Sequence, residues 1–170
     1  MTAAAGAASA ATPLAASAAL SLALTLAAGA AAADAPPAYP QGAAAFQANC
    51  AVCHAATGAG VPSLAPPLLS YPARYAASAE GRRQLAITVL YGMYGDVVVE
   101  GKHYDFRMPD FGQLDDASLA AVLNFVVFDL AHAPASVAPL ASAEVAAERA
   151  HPLDGAAVRE HRKSVVPAEP

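Results

Sequence analysis

Apolar residues recur at three- and four-residue intervals in two parts of the chain. Leu85, Val89 and Leu90 form one such stripe, between Ser78 and Gly92. A serine accepts hydrogen bonds from the first free amides of a helix, and a glycine ends one easily. A helix running to about Tyr91 is therefore expected. Leu119, Val122, Leu123, Val126 and Leu130 make a longer stripe, capped by Asp115 and stopped by Pro134, which predicts a helix over 116–132. The Ala-rich segment 41–49 reads as a shorter helix, with Gly42 and Phe46 on one face. Between these lie two breaks. Residues 55–72 hold Gly58, Gly60, Pro62, Pro66, Pro67 and Pro72, a turn-rich loop. Residues 93–114 read mostly as loop, with Val97–Val99 as a short extended piece. The predicted class is all-α.

Two regions fall outside this pattern. Residues 1–33 carry no charge, and 14–33 are an apolar run that ends in small residues. This reads as a secretory signal peptide cleaved near Ala30 or Ala33, although its n-region lacks Lys and Arg. An uncleaved membrane anchor is the competing reading, since twenty residues can span a bilayer. Residues 34–39 are then a Pro-containing leader. From 133 on, composition shifts to Ala, Pro, Ser and mixed charge. Segments 141–151 and 154–163 suit two short amphipathic helices. We read 133–170 as an extension that packs on the preceding domain or on a partner, with a partly disordered tail as the alternative.

The charged residues, nine basic and fourteen acidic, all follow residue 33 and leave a net charge of −5. This length suits one domain, and this acidity disfavours nucleic acid as a partner.

Chemistry is concentrated in Cys50-Ala51-Val52-Cys53-His54, which holds the only two cysteines of the chain. A Cys-x-x-Cys-His run is the attachment signature of c-type haem. Each thiol can add to one haem vinyl group, and the adjacent histidine then reaches the iron. A structural zinc site needs four ligands, and His103, His132, His151 and His161 are scattered rather than paired at finger spacing. A thioredoxin-like pair would want a βαβ context, which the flanks lack.

A histidine-ligated iron that carries electrons commonly takes a methionine as its second axial ligand. Downstream of the leader, Met93 and Met108 are the candidates. Met108 precedes Pro109, which restricts its backbone, and is the better placed. Either side chain could instead fill a gap in the core. His103 is a third candidate, in a polar segment that suits a solvent-facing loop.

Several of these positions together resemble the class I cytochrome c family of the bacterial periplasmic, monohaem kind. Gly42, Phe46 and Cys50 match its first helix, and Val122 and Phe125 its last. Leu64-Ala65-Pro66-Pro67-Leu68 resembles the loop after the haem motif. Gly92, Gly101, Tyr104 and Arg107-Met108-Pro109-Asp110-Phe111 resemble the stretch that ends in a Met-Pro ligand motif. The resemblance covers about residues 40–132. It implies a small cytochrome c fold of three to four helices and loops wrapped around one covalent haem c. It also implies Cys50 and Cys53 as attachment points, His54 and Met108 as axial ligands, and the Pro66 carbonyl as acceptor of the His54 N–H. Tyr104 becomes a candidate hydrogen-bond donor to a haem propionate. Arg82 or Arg83 could neutralise one, the alternative being that both simply solvate a helix face.

The expected function is one-electron transfer in the periplasm, with redox proteins such as a dehydrogenase donor and an oxidase acceptor as partners. No catalytic residue is expected. Ser63 and Ser70 lack a base, and Asp115 and Asp116 suit a helix start. Two rivals share the haem: a fixed cytochrome subunit of a dehydrogenase or oxidase complex, and a haem gas sensor or peroxidase with an open distal site. An acidic carrier would suit a basic partner surface.

Overall fold

Pro40 opens the first helix, where its missing N–H costs nothing and its fixed φ suits the turn. In the computed structural model, which describes residues 1–3, 6 and 36–165, this helix is α1 (Pro40–Asn49). The amides of Ala38 and Tyr39 donate to the Asp129 carboxylate at 2.7 and 3.0 Å, which fixes where α1 begins. The short α2 (Ala51–His54) follows Cys50. Then come α3 (Tyr71–Ala76), α4 (Ala79–Tyr91), and an antiparallel hairpin of β1 (Val97–Val99) and β2 (Lys102–Tyr104). The long α5 (Asp116–Asn124) runs on into wider turns over Phe125–Leu130. Two more helices close the chain, α6 (Ser142–Arg149) and α7 (Gly155–Val165).

The caps act as expected. Ser78 Oγ accepts from the Gly81 amide at 3.1 Å, and Asp115 Oδ1 from the Ser118 amide at 2.7 Å.

α1 crosses α5 at Gly42. A Cβ there would overlap the Ala121 carbonyl oxygen and lie 2.8 Å from Phe125 Cβ, so only glycine permits this approach. The close crossing brings the Phe46 and Phe125 rings to 5.4 Å, and with Val122 and Val126 they bury one wall of the core. A second cluster joins α4, α5 and α6 through Leu90, Leu119, Leu123, Val127 and Val145. A third joins α3 to the hairpin through Tyr71, Tyr75, Val97, Val99 and Tyr104.

Four details differ from the sequence expectation. Pro72 does not exclude helix, because it falls in the first turn of α3, where proline is tolerated. The loop over 93–114 contains a paired strand, β2, turned back on β1 by Glu100 and Gly101 at φ +51° and +70°. The last long helix ends at Leu130 rather than His132. Its final turn widens so that the Ala131 amide reaches Val126 O at 3.0 Å, and His132 reverses to φ +52° before Pro134 is reached. Finally, Arg82 and Arg83 neither solvate a free helix face nor line the apolar cavity described below. Arg82 makes a two-pronged pair with Glu144 at 2.7 Å and donates to the carbonyls of Ala138 and Pro139. Arg83 pairs with Glu148 at 3.1 Å.

Both arginines thus clasp the C-terminal segment. Asn124, buried in α5, exchanges two hydrogen bonds with the Leu140 backbone, at 2.7 and 3.0 Å. Arg149 binds Asp116 and the carbonyls of Gly112 and Leu114 at 2.6–2.7 Å. Val145 and Val158 are fully buried, so α6 and α7 spend their apolar faces on their own chain.

The apolar run 14–33 and its cleavage region lie outside the described residues. Among the described residues no helix is long and apolar enough to cross a membrane.

Candidate haem-binding site

The chain bends at Cys50 between α1 and α2. The amides of Cys53 and His54 both return to the Cys50 carbonyl, at 3.1 and 2.9 Å. This single turn holds both thiols and the His54 ring at the edge of one apolar cavity, which all three line. Both cysteines are free and half-buried, and no disulfide joins them. Burial, with Cys53 alongside as the smaller cause, pushes the Cys50 thiol up to about 11, so it rests protonated.

His54 Nδ1 lies 2.9 Å from the Pro66 carbonyl oxygen. A carbonyl can only accept, so Nδ1 carries the proton and Nε2 keeps its lone pair. Burial holds the ring below the usual histidine range, and the Pro66 bond offsets part of that shift. A neutral, oriented imidazole with Nε2 available is what an iron ligand requires.

Met93 and Met108 also line the cavity. Their backbones pair: Met108 N donates to Met93 O at 2.8 Å, and Met93 N to Met108 O at 3.1 Å. Gly92 makes this pairing possible. It sits at φ +68°, and a Cβ there would overlap the Met108 carbonyl oxygen. His103 lies elsewhere, on the exposed hairpin, where its Nδ1 meets the Asp96 carboxylate at 2.9 Å. It does not line the cavity.

The apolar walls include Phe46, Leu68, Val89, Val97, Val99, Phe111, Val122 and Val126, with Pro66, the buried Tyr104 and the polar side chains of Asn49, Gln84, Thr88 and Arg107 also present. At the rim, Val52 and Phe106 keep 81% and 58% of their surface exposed. An apolar chamber with two free thiols, one oriented imidazole and two thioethers suits a flat apolar macrocycle held covalently and ligated at its iron. The residues present therefore fit haem c.

Among the cavity residues that sequence reasoning missed, three bear on the chemistry of the site. Tyr71 and Tyr75 come from α3, whose helical character Pro72 concealed. Arg162 comes from α7, far along the chain, and no local pattern marks it as facing this chamber.

Comparison with known proteins identifies the family. The family model for cytochrome c matches residues 40–127. Cytochrome c-552 of Thermus thermophilus is 41% identical over 83 residues, which is 49% of this chain and 63% of the relative. A second cytochrome c-552, from a particular strain of Thermus thermophilus, is 41% identical over 83 residues, 49% of this chain and 56% of the relative. The chain thus spans less than two thirds of the length of these curated relatives. The matched span, running from α1 through α5, holds Cys50, Cys53, His54, Pro66, Tyr104 and Met108. The chain belongs to the cytochrome c family, whose cofactor is covalently bound haem c.

Proposed function

We propose that this protein is a one-electron carrier whose haem c is held by Cys50 and Cys53 and ligated axially by His54 and Met108. The observation that carries this reading is the convergence of both thiols, the Pro66-oriented His54 and the thioether of Met108 on one apolar chamber. The haem supplies an iron that cycles between ferric and ferrous states. The chain does the rest. Thioether bonds from Cys50 and Cys53 would keep the cofactor in place. Pro66 fixes the His54 ring and strengthens it as a donor. Met108, set by the Met93 pairing and Pro109, would close the second axial position and favour the reduced state. The apolar walls exclude water, and Val52 and Phe106 leave one edge open for electron passage.

The same arrangement weighs against a gas sensor or peroxidase, which needs an open distal position. Redox proteins would then be the partners, a donor such as a dehydrogenase and an acceptor such as an oxidase. The apolar N-terminal run supports export and a periplasmic location. Transient contact around the open edge is the expected mode of partner binding. A spectroscopically monitored redox titration tests the proposal. One reversible one-electron step without sustained turnover of hydrogen peroxide is expected. Sustained peroxide turnover would contradict it.

A further inference from the structure

The cavity is mostly apolar; Asn49, Gln84, Thr88 and Arg107 belong to its polar lining, and a further group of polar side chains gathers beside the hairpin. Tyr71 and Tyr75 from α3, Tyr104 from β2 and Arg162 from α7 all line the cavity. The three tyrosines are buried together against the hairpin, with Val165 of α7 packed on them. Arg162 and Val165 stand three residues apart and so share a face of α7. Beside them the Arg74 guanidinium sits 4.5 Å over the Tyr71 ring. Tyr75 is only 5% exposed, and among the described residues its hydroxyl has no hydrogen-bond partner. A buried hydroxyl left unpaired is costly, so this one points to a missing polar partner.

Arg162 is close enough to Tyr75 to act on its hydroxyl electrostatically, opposing the upward shift that burial imposes. It donates one N–H to Val98 O at 3.2 Å. A guanidinium has five N–H donors, so others remain for a carboxylate. The turn that carries Arg162 is anchored. Gln84, buried in α4 and lining the cavity, accepts from His161 Nδ1 at 2.6 Å and donates to Val158 O at 3.4 Å. α7 is therefore pinned beside the arginine.

Haem c is apolar except for its two propionates, which leave one edge of the ring. We propose that Arg162 and the Tyr75 hydroxyl hold a haem propionate, making α7 part of the cofactor site. This residue lies well beyond the span 40–127 that the family model matches. The inference rests on haem being attached at Cys50 and Cys53. Its consequence is electronic. A cation at the propionate edge favours ferrous over ferric iron, so the C-terminal segment would help set the potential of the carrier.

The test is redox titration of the haem-loaded full chain, as wild type and as Arg162→Gln, Arg162→Lys and Tyr75→Phe. Arg162→Gln should shift the reduction equilibrium toward ferric by about tenfold, the order expected for one unit charge in a partly screened site. Arg162→Lys should recover most of that shift, and Tyr75→Phe should give a smaller shift in the same direction. The redox-difference infrared band of the propionate should move in Arg162→Gln as well. An unchanged equilibrium and propionate band in Arg162→Gln would overturn the assignment. So would equal shifts in the Gln and Lys variants, which would indicate a structural role alone. Haem that does not co-migrate with the wild-type chain on denaturing electrophoresis would contradict the attachment itself, and this inference with it.

Discussion

The single residues carry the chemistry through their donor atoms. Cys50 and Cys53 offer two free thiols on one turn, and His54 offers a neutral ring whose proton is committed to Pro66. Replacing both cysteines by alanine should abolish haem that resists acid-acetone extraction, as read by haem-stain electrophoresis. The two methionines are harder to separate, because their backbones are paired and both side chains line the cavity. The Pro109 restriction and the family motif favour Met108. Met108→Ala should leave haem attached but remove the ferric methionine–iron band, whereas Met93→Ala should retain that band. The opposite result would exchange the two assignments. Most of this site was legible in the sequence, because attachment chemistry demands neighbouring residues at fixed spacing. Tyr75 and Arg162 were not legible. They reach the chamber by tertiary packing from α3 and α7, and neither bears a local motif.

Among the elements, the α1–α5 crossing frames the haem motif, and it depends on one missing side chain. Gly42→Ala would force a methyl group into the Ala121 carbonyl and Phe125 Cβ. We expect destabilisation of about 3 kcal/mol, at the upper end for overpacking, read as a lower midpoint in guanidinium unfolding. A midpoint within error of wild type would refute the close crossing. The strongly periodic helices α4 and α5 were visible in the sequence because each buries one face. α3 was hidden because Pro72 in its first turn looks the same, in sequence, as a proline that breaks a helix. β2 was hidden because Lys102-His103-Tyr104 buries only its tyrosine, so period-two alternation has almost nothing to show. The final helical turn stops short of the expected His132 because the helix ends with the wider turns over Phe125–Leu130 and the backbone reverses at His132, before Pro134 can act.

For the whole molecule, the C-terminal segment changes what the domain is. Three of its charged groups, Glu144, Glu148 and Arg149, pair with Arg82, Arg83 and Asp116 of the preceding domain. Glu144 links Arg82 to the Ala141 amide, and the Arg82 hydrogen bond holds its carboxyl below the ordinary 4.5. A depressed carboxylate stabilises the fold above its unfolded value, and that contribution is lost as pH falls through the folded value. Unfolding stability should therefore drop below about pH 4.5, with a smaller drop in Glu144→Gln, compared by denaturation at about pH 3 and about pH 6. Equal losses in both proteins would show that this clasp contributes nothing. An ordered extension would have suited a fixed subunit. Here Val145 and Val158 are buried within the same chain, so the order needs no partner to account for it. Low hydrophobic content concealed this packing in the sequence, since a few fully buried valines and paired arginines replace a continuous apolar stripe. The central claim remains the closed, six-coordinate haem, and the most direct measurement of it is the optical spectrum of the purified protein, ferric and then ferrous with carbon monoxide added. A ferric methionine–iron band, with a ferrous spectrum that carbon monoxide leaves unchanged, is the predicted result. A missing band together with a carbon monoxide adduct would contradict the account and point to an open distal site.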